Sequence, residues 1–169
     1  MSNLLRIRPY EQDDLEPIAE LIVHIQQQEY GIEITREDQP DLANIPQFYQ
    51  QQNGNFWVAL DGERVVGTIA LVDIGGQQVA LRKMFVHTNY RGKVWKTAQL
   101  LLQQAIQWAQ HKQVTDIYLG TTPQFKAAHR FYEKNGFIEV TEPQLPEAFP
   151  VMKVDKKFYR LSIRDAKED

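Results

Sequence analysis

The stretch that decides the fold is LRKMFVHTNYRGKVWKTA, Leu81–Ala98. Its first seven residues read as a strand, Arg91, Gly92 and Lys93 form a tight turn, and Thr97 and Ala98 open a long amphipathic helix. A strand that passes through a glycine-bearing basic turn into a helix is suited to holding phosphate, because the first N–H groups of a helix have no intrahelical partner and point outward. Arg91, Lys93 and Lys96 place three cations within six positions, and the helix N-terminus adds about half a positive charge.

Downstream, Ala98, Leu101, Leu102, Ala105, Ile106 and Ala109 recur at helical spacing, with Gln99, Gln103, Gln107 and Gln110 on the other face. Upstream, Phe56–Leu60, Arg64–Asp73 and Gln78–His87 read as three strands joined by Asp61-Gly62 and Gly75-Gly76, which predicts an antiparallel meander. A strand over Thr115–Gly120 follows the long helix, and the intervening crossover predicts that it lies parallel to the strand ending at His87. Pro123 then precedes a helix through FKAAHRFYEKN that Gly136 terminates. Phe137–Val140 returns as a strand, EPQLPEAFP is a loop, and Lys157–Ile163 alternates as a last strand before a tail, 164–169, that should fray.

At the front, Leu4–Pro9 alternates as a half-buried strand. EQDD begins a helix that Asp13 or Asp14 can cap, with Pro17 in its first turn and Leu15, Ile18, Ile22 and Ile25 on one face. Between residues 26 and 53 the chain is polar and poorly periodic, with a short helix suggested by Ile45, Phe48 and Tyr49; this is where a second substrate is expected.

The 169 residues suit a single domain with its core over about 5–163. A net charge of −3 argues against nucleic acid, the absence of cysteine excludes disulfides and a cysteine nucleophile, and no apolar run spans a bilayer, so a cytoplasmic protein is expected. Neither GxxxxGK[ST] nor GxGxxG occurs, which disfavours a P-loop or Rossmann nucleotide site. No histidine and carboxylate spacing suggests a metal site.

The element order, YRGKVWKTAQLL and AAHRFYEKNGF together resemble the GNAT superfamily of acyl-CoA-dependent N-acyltransferases over roughly Leu5–Ile163. The resemblance implies an α/β domain of the α+β kind. Its mixed, mostly antiparallel sheet has six to seven strands flanked by helices, with the acyl-CoA loop between strand 4 and the next helix. Arg91, Gly92, Lys93 and Ala98 fit the loop pattern, but Val94 and Lys96 replace two glycines, and Phe125 stands where an asparagine is common. Glycine in such a turn permits positive φ or close backbone approach.

What the resemblance implies is acetyl transfer from acetyl-CoA to a primary amine by direct attack. The N–H groups of Gly92, Lys93, Val94, Trp95, Lys96 and Thr97, with the cations of Arg91, Lys93 and Lys96, would hold the diphosphate. Main-chain groups of Met84, Phe85 and Val86, on a fourth strand that splays from its neighbour, would take the acetyl and pantetheine arm. Tyr132 would protonate the leaving thiolate. The base that frees the amine stays open among Glu33, Asp73, His87 and Glu139, each more ordinarily solvated or structural; His129 fits a place beside the cleft, and His24 and His111 an exposed helix face. Trp57 and Trp108 read as core, whereas Trp95 can pack on the ligand or shield the altered turn. The substituted glycines keep one alternative in play, a non-catalytic acyl-CoA-binding or interaction module. Exposed sheet edges permit a homodimer.

Overall fold

The computed structural model describes residues 5–123, 125–153 and 155–163. The expected fraying of 164–169 lies outside the described residues. Seven strands form one sheet: β1 (Arg6–Pro9), β2 (Asn55–Asp61), β3 (Arg64–Gly75), β4 (Gln78–Val86), β5 (Asp116–Thr121), β6 (Ile138–Val140) and β7 (Lys157–Ser162). Their order is β1-β2-β3-β4-β5-β7-β6, antiparallel everywhere except at β4–β5. The four helices are α1 (Leu15–His24), α2 (Ile45–Phe48), α3 (Thr97–His111) and α4 (Lys126–Lys134).

Each face of the sheet has its own core. Leu101, Leu102, Ala105 and Ala109 of α3 and Tyr132 of α4 pack with Trp57, Ile69, Leu81 and Tyr159. On the opposite face Ile18, Leu21 and Ile22 of α1 and Ile45 of α2 pack with Phe56, Val58, Leu60 and Ala70. Trp57 is buried, and half-buried Trp108 meets it edge-on at 5.7 Å while its indole N–H donates to the Asn53 carbonyl at 2.9 Å. Asp14 does not cap α1 with its side chain. Its carboxylate takes two bonds from the Arg8 guanidinium (2.7 and 3.0 Å) and the Glu11 N–H (2.8 Å), which ties the start of the helix back to β1.

Two departures from regular sheet shape the centre of the molecule. β4 pairs with β5 only where Gln78, Val79 and Ala80 face Asp116, Ile117 and Tyr118, and beyond Ala80 the two strands part. Within β4, Thr68 faces Phe85 but Ala70 faces Arg82, so Lys83 and Met84 together oppose one residue of β3. Lys83 takes φ +55°, and its carbonyl accepts the Thr68 hydroxyl at 2.6 Å. Such a bulge re-aims side chains, and here it turns Arg82 and Lys83 to the same face.

FYEKNGF ends α4 in a Schellman turn. The Gly136 N–H donates to the Glu133 carbonyl (3.2 Å) and the Phe137 N–H to the Tyr132 carbonyl (3.0 Å), with the Tyr132 and Phe137 rings 5.5 Å apart as the accompanying apolar pair. The turn therefore fixes Tyr132 from both its main chain and its ring. Gly136 sits at φ +95°, and an added Cβ would meet Leu161 at 3.3 Å. Gly136→Ala is expected to lower stability by about 1–2 kcal/mol, the cost of a left-handed non-glycine residue, read from the urea denaturation midpoint.

Candidate active site

The gap between β4 and β5 is the only place in the described sheet where two neighbouring strands separate after pairing. The His87 N–H donates to the Val66 carbonyl at 2.8 Å, so by the alternation of an antiparallel ladder Phe85 bonds toward β3 while Met84 and Val86 turn their main-chain groups to the gap. Val86 confirms this direction: its carbonyl accepts Arg91 Nε at 2.9 Å. Of the three residues expected to face a ligand with their main chain, Met84 and Val86 turn theirs to the gap and Phe85 turns its own toward β3.

The turn between β4 and α3 closes on itself with the Lys96 N–H on the Gly92 carbonyl (3.0 Å). Gly92 has φ +99° and Lys96 φ +55°, whereas Val94 is absent from the positive-φ positions. Valine thus meets no backbone strain at 94, and a non-glycine residue at 96 costs about 1–2 kcal/mol. The helix opens without a side-chain cap, a loss of about 1 kcal/mol. Burying Leu101 and Leu102, each about 1.5–3 kcal/mol, outweighs both penalties.

Lys93, Val94 and Lys96 are exposed around the first turn of α3. Thr97 is buried, and its hydroxyl donates to the Tyr90 carbonyl (2.7 Å). Trp95 lies 4.6 Å from the Tyr90 ring and shields the turn from within. Arg91 has a partner that sequence reasoning missed: Glu29, just past α1, pairs with its guanidinium at 2.7 Å and also accepts the Thr88 hydroxyl at 2.8 Å. Burial pushes the Glu29 carboxyl up, but the bonds from Arg91 and Thr88 prevail and hold it below the usual range.

Tyr132 lies on the α3/α4 face. Burial, with Tyr30 nearby, pushes its phenol pKa well up, and its hydroxyl has no hydrogen-bond partner among the described residues. Tyr30, following α1, stacks on Phe125 at the start of α4 with ring centroids 4.3 Å apart. That contact joins the segment after α1 to the start of α4 and gives the aromatic residue at 125 a partner.

Residues 19–137 match the model of the Acetyltransferase (GNAT) family. The chain belongs to the GNAT acetyltransferase family. It is 38 % identical to a GNAT-family acetyltransferase of Staphylococcus aureus, with TM-score 0.90 over 95 % of this chain and 99 % of that one. It is 35 % identical to an N-acetylaspartate synthetase of Xenopus tropicalis over 72 % of this chain; the match spans 45 % of that relative's length. The PaiA N-acetyltransferase of Thermoplasma acidophilum, solved with coenzyme A, shares the fold (TM-score 0.72, 20 % identity, 94 % of this chain and 99 % of that one).

Within this GNAT domain the candidate bases are largely committed elsewhere. His87 Nδ1 accepts the Asn89 N–H (3.0 Å) and Nε2 lies 3.0 Å from the Arg64 guanidinium; burial, then Arg64 and Arg91, lower its pKa. Asp73 accepts the N–H groups of Asn53 (3.1 Å) and Gly75 (2.7 Å) at a strand end. Glu139 pairs with Lys157 (2.8 Å) across β6 and β7. His129 Nε2 bonds the Thr122 carbonyl at 2.8 Å and holds the turn after β5. Glu33, His24 and His111 are exposed.

A buried polar cluster on the α1/α2 face was not foreseen. Lys83 Nζ donates to Gln39 Oε1 (2.6 Å) and lies 3.5 Å from Asp41, which accepts the Tyr49 hydroxyl (2.6 Å); Gln39 and Gln26 exchange amide bonds at 2.9 and 3.1 Å. The signal was the Arg82-Lys83 doublet, which breaks the two-residue period of the strand. Burial pulls the Lys83 ammonium down to about 8 from its ordinary 10.5, against the raising effect of Asp41. Between those values the unfolded chain holds a proton that the folded chain has released, so stability rises with pH there. Lys83→Met is expected to remove that rise, measured by urea midpoints from about pH 8 to about pH 10.

Proposed function

We propose that this domain transfers the acetyl group of acetyl-CoA to a primary amine by direct attack. The observation that carries the reading is the β4–β5 gap. It opens beside a basic turn at one end, with the buried residue Tyr132 on one face, its hydroxyl without a hydrogen-bond partner among the described residues. The family match and a relative solved with coenzyme A support acetyl-CoA as cosubstrate.

The N–H groups from Gly92 to Trp95, with the side chains of Lys93 and Lys96 and with Arg91 once it leaves Glu29, would hold the diphosphate, the Lys96 N–H being already on the Gly92 carbonyl. Main-chain groups of Met84 and Val86 would take the pantetheine and acetyl end, where an N–H stabilises charge developing on the thioester oxygen. The neutral amine forms a C–N bond as the C–S bond breaks; the nitrogen gives up a proton and the sulfur gains one. Tyr132 supplies the sulfur's proton, a role suited to a phenol that burial keeps protonated. The non-catalytic alternative rested on Val94 and Lys96, and the relaxed backbone at 94 and the single tolerated left-handed residue at 96 do not favour it.

No helix among the described residues is long and apolar enough to cross a membrane, and the cysteine-free composition supports the cytoplasm as the location. The edge strand β6, with exposed Ile138, supports pairing with a second copy.

Tyr132→Phe keeps the ring contacts with Phe137 and removes the acid. Turnover is expected to fall by about 100-fold or more, with acetyl-CoA affinity unchanged in calorimetry. Unchanged turnover with chemistry rate-limiting would remove Tyr132 from the acid role.

A further inference from the structure

We propose that the amine acceptor is a free α-amino acid with an apolar side chain, its carboxylate held by Arg82 and its ammonium by Asp155 at the α1/α2 mouth of the β4–β5 gap. This rests on the acetyl-transfer reading above and names the acceptor class of that site.

The two residues stand on opposite banks. Arg82 follows Ala80, the last β4 residue paired to β5, and its guanidinium lies over the Phe48 ring of α2 at 5.6 Å. Across the gap, Tyr118 of β5 packs with Ala80, Phe149 and Phe158 on the α1/α2 side. Strand alternation therefore opens Gly120 on that same side. Asp155 fills the space there: a Cβ on Gly120 would lie 2.6 Å from its Oδ2 and 2.8 Å from its Cγ. Glycine at 120 is what lets this carboxylate lie down on the strand.

Neither charge is neutralised by the other. Among the described residues Arg82 has no carboxylate at ion-pair distance; beyond the Phe48 ring it makes a weak N–H···S contact of 3.7 Å with Met152. Asp155 accepts the Met152 N–H at 3.0 Å and no cation. Yet Arg82 is near enough to act on the Asp155 carboxyl, whose pKa burial raises while the Met152 N–H and Arg82 lower it. The neighbouring cation Lys83 is already spent on Asp41 and Gln39. A guanidinium and a carboxylate held apart across one opening match a ligand carrying an ammonium and a carboxylate on the same carbon, as an α-amino acid does. Exposed Phe48, Val151 and Met152 rim the site and offer an apolar wall for the side chain.

The geometry also divides the protons between the faces. Asp155 takes one from the ammonium and passes it to solvent, and the freed amine attacks the thioester carbon from the α1/α2 side. The C–N bond forms and the C–S bond breaks. Tyr132, on the opposite face, protonates the sulfur, and the second nitrogen proton restores the phenol.

The test uses the purified chain with acetyl-CoA and three matched acceptors: leucine, leucinamide and isopentylamine. Thiol release and product mass are read together. Leucine is expected to exceed the two acceptors that lack a carboxylate by about 100-fold or more in kcat/KM. Arg82→Ala should raise KM for leucine by about 100-fold, the loss of a charge-assisted pair, with a far smaller change for isopentylamine and part of the loss recovered in Arg82→Lys. Asp155→Asn should lower kcat for all three, while acetyl-CoA affinity by calorimetry stays at the wild-type value in every variant. Equal use of leucine and isopentylamine by the wild type, or equal losses on both in Arg82→Ala, overturns the acceptor assignment and leaves acetyl transfer standing. No binding of acetyl-CoA to the wild type overturns both.

Discussion

Two parallel strands that hold together for three residues and then part are the constraint on which the site depends. A continuous β4–β5 ladder would spend the outward N–H and C=O groups of Met84 and Val86 on the protein itself. Divergence leaves the Met84 groups and the Val86 N–H available, while the Val86 carbonyl accepts Arg91, and the chain has to support the resulting edge by other means. It does so with Arg91 on the Val86 carbonyl, Asp155 lying on Gly120, and Tyr30 stacked on Phe125. The opening is a built feature of the sheet with its own supports.

The bulge at Lys83 belongs to the same design. In a regular strand Arg82 and Lys83 would point to opposite faces, one of them into the apolar core under α3. An isolated charge buried there would cost several kcal/mol. The extra residue sends both cations to the α1/α2 side, where Asp41, Gln39 and the Phe48 ring receive them. That leaves the α3/α4 side of the gap apolar around Tyr132 and the other side charged, an asymmetry suited to a reaction that moves protons in opposite directions at sulfur and at nitrogen.

What could be read from the sequence was what local chemistry determines. The Asp61-Gly62 and Gly75-Gly76 turns, the period of α3 and the Gly136 stop all depend on neighbours within a few residues, and each is found as expected. The family motifs brought the basic turn and Tyr132 into view for the same reason. Partners distant in sequence stayed hidden: Glu29 on Arg91, Asp41 on Lys83, and Asp155 against Gly120. The main-chain direction of Phe85 was missed because it depends on ladder register, which alternation in one strand cannot fix. Glycine in a motif does not say which of its positions needs positive φ; here 92 and 96 take it and 94 does not.

The ion pair between Glu29 and Arg91 joins the segment just past the first helix to the basic turn before α3. An anion that claims Arg91 does so in competition with that carboxylate, and the segment bearing Glu29 and Tyr30 is freed from one of its tethers as it succeeds. Tyr30, the next residue, packs on Phe125. On the acetyl-transfer reading proposed above, occupation of the basic turn is thereby coupled to that contact.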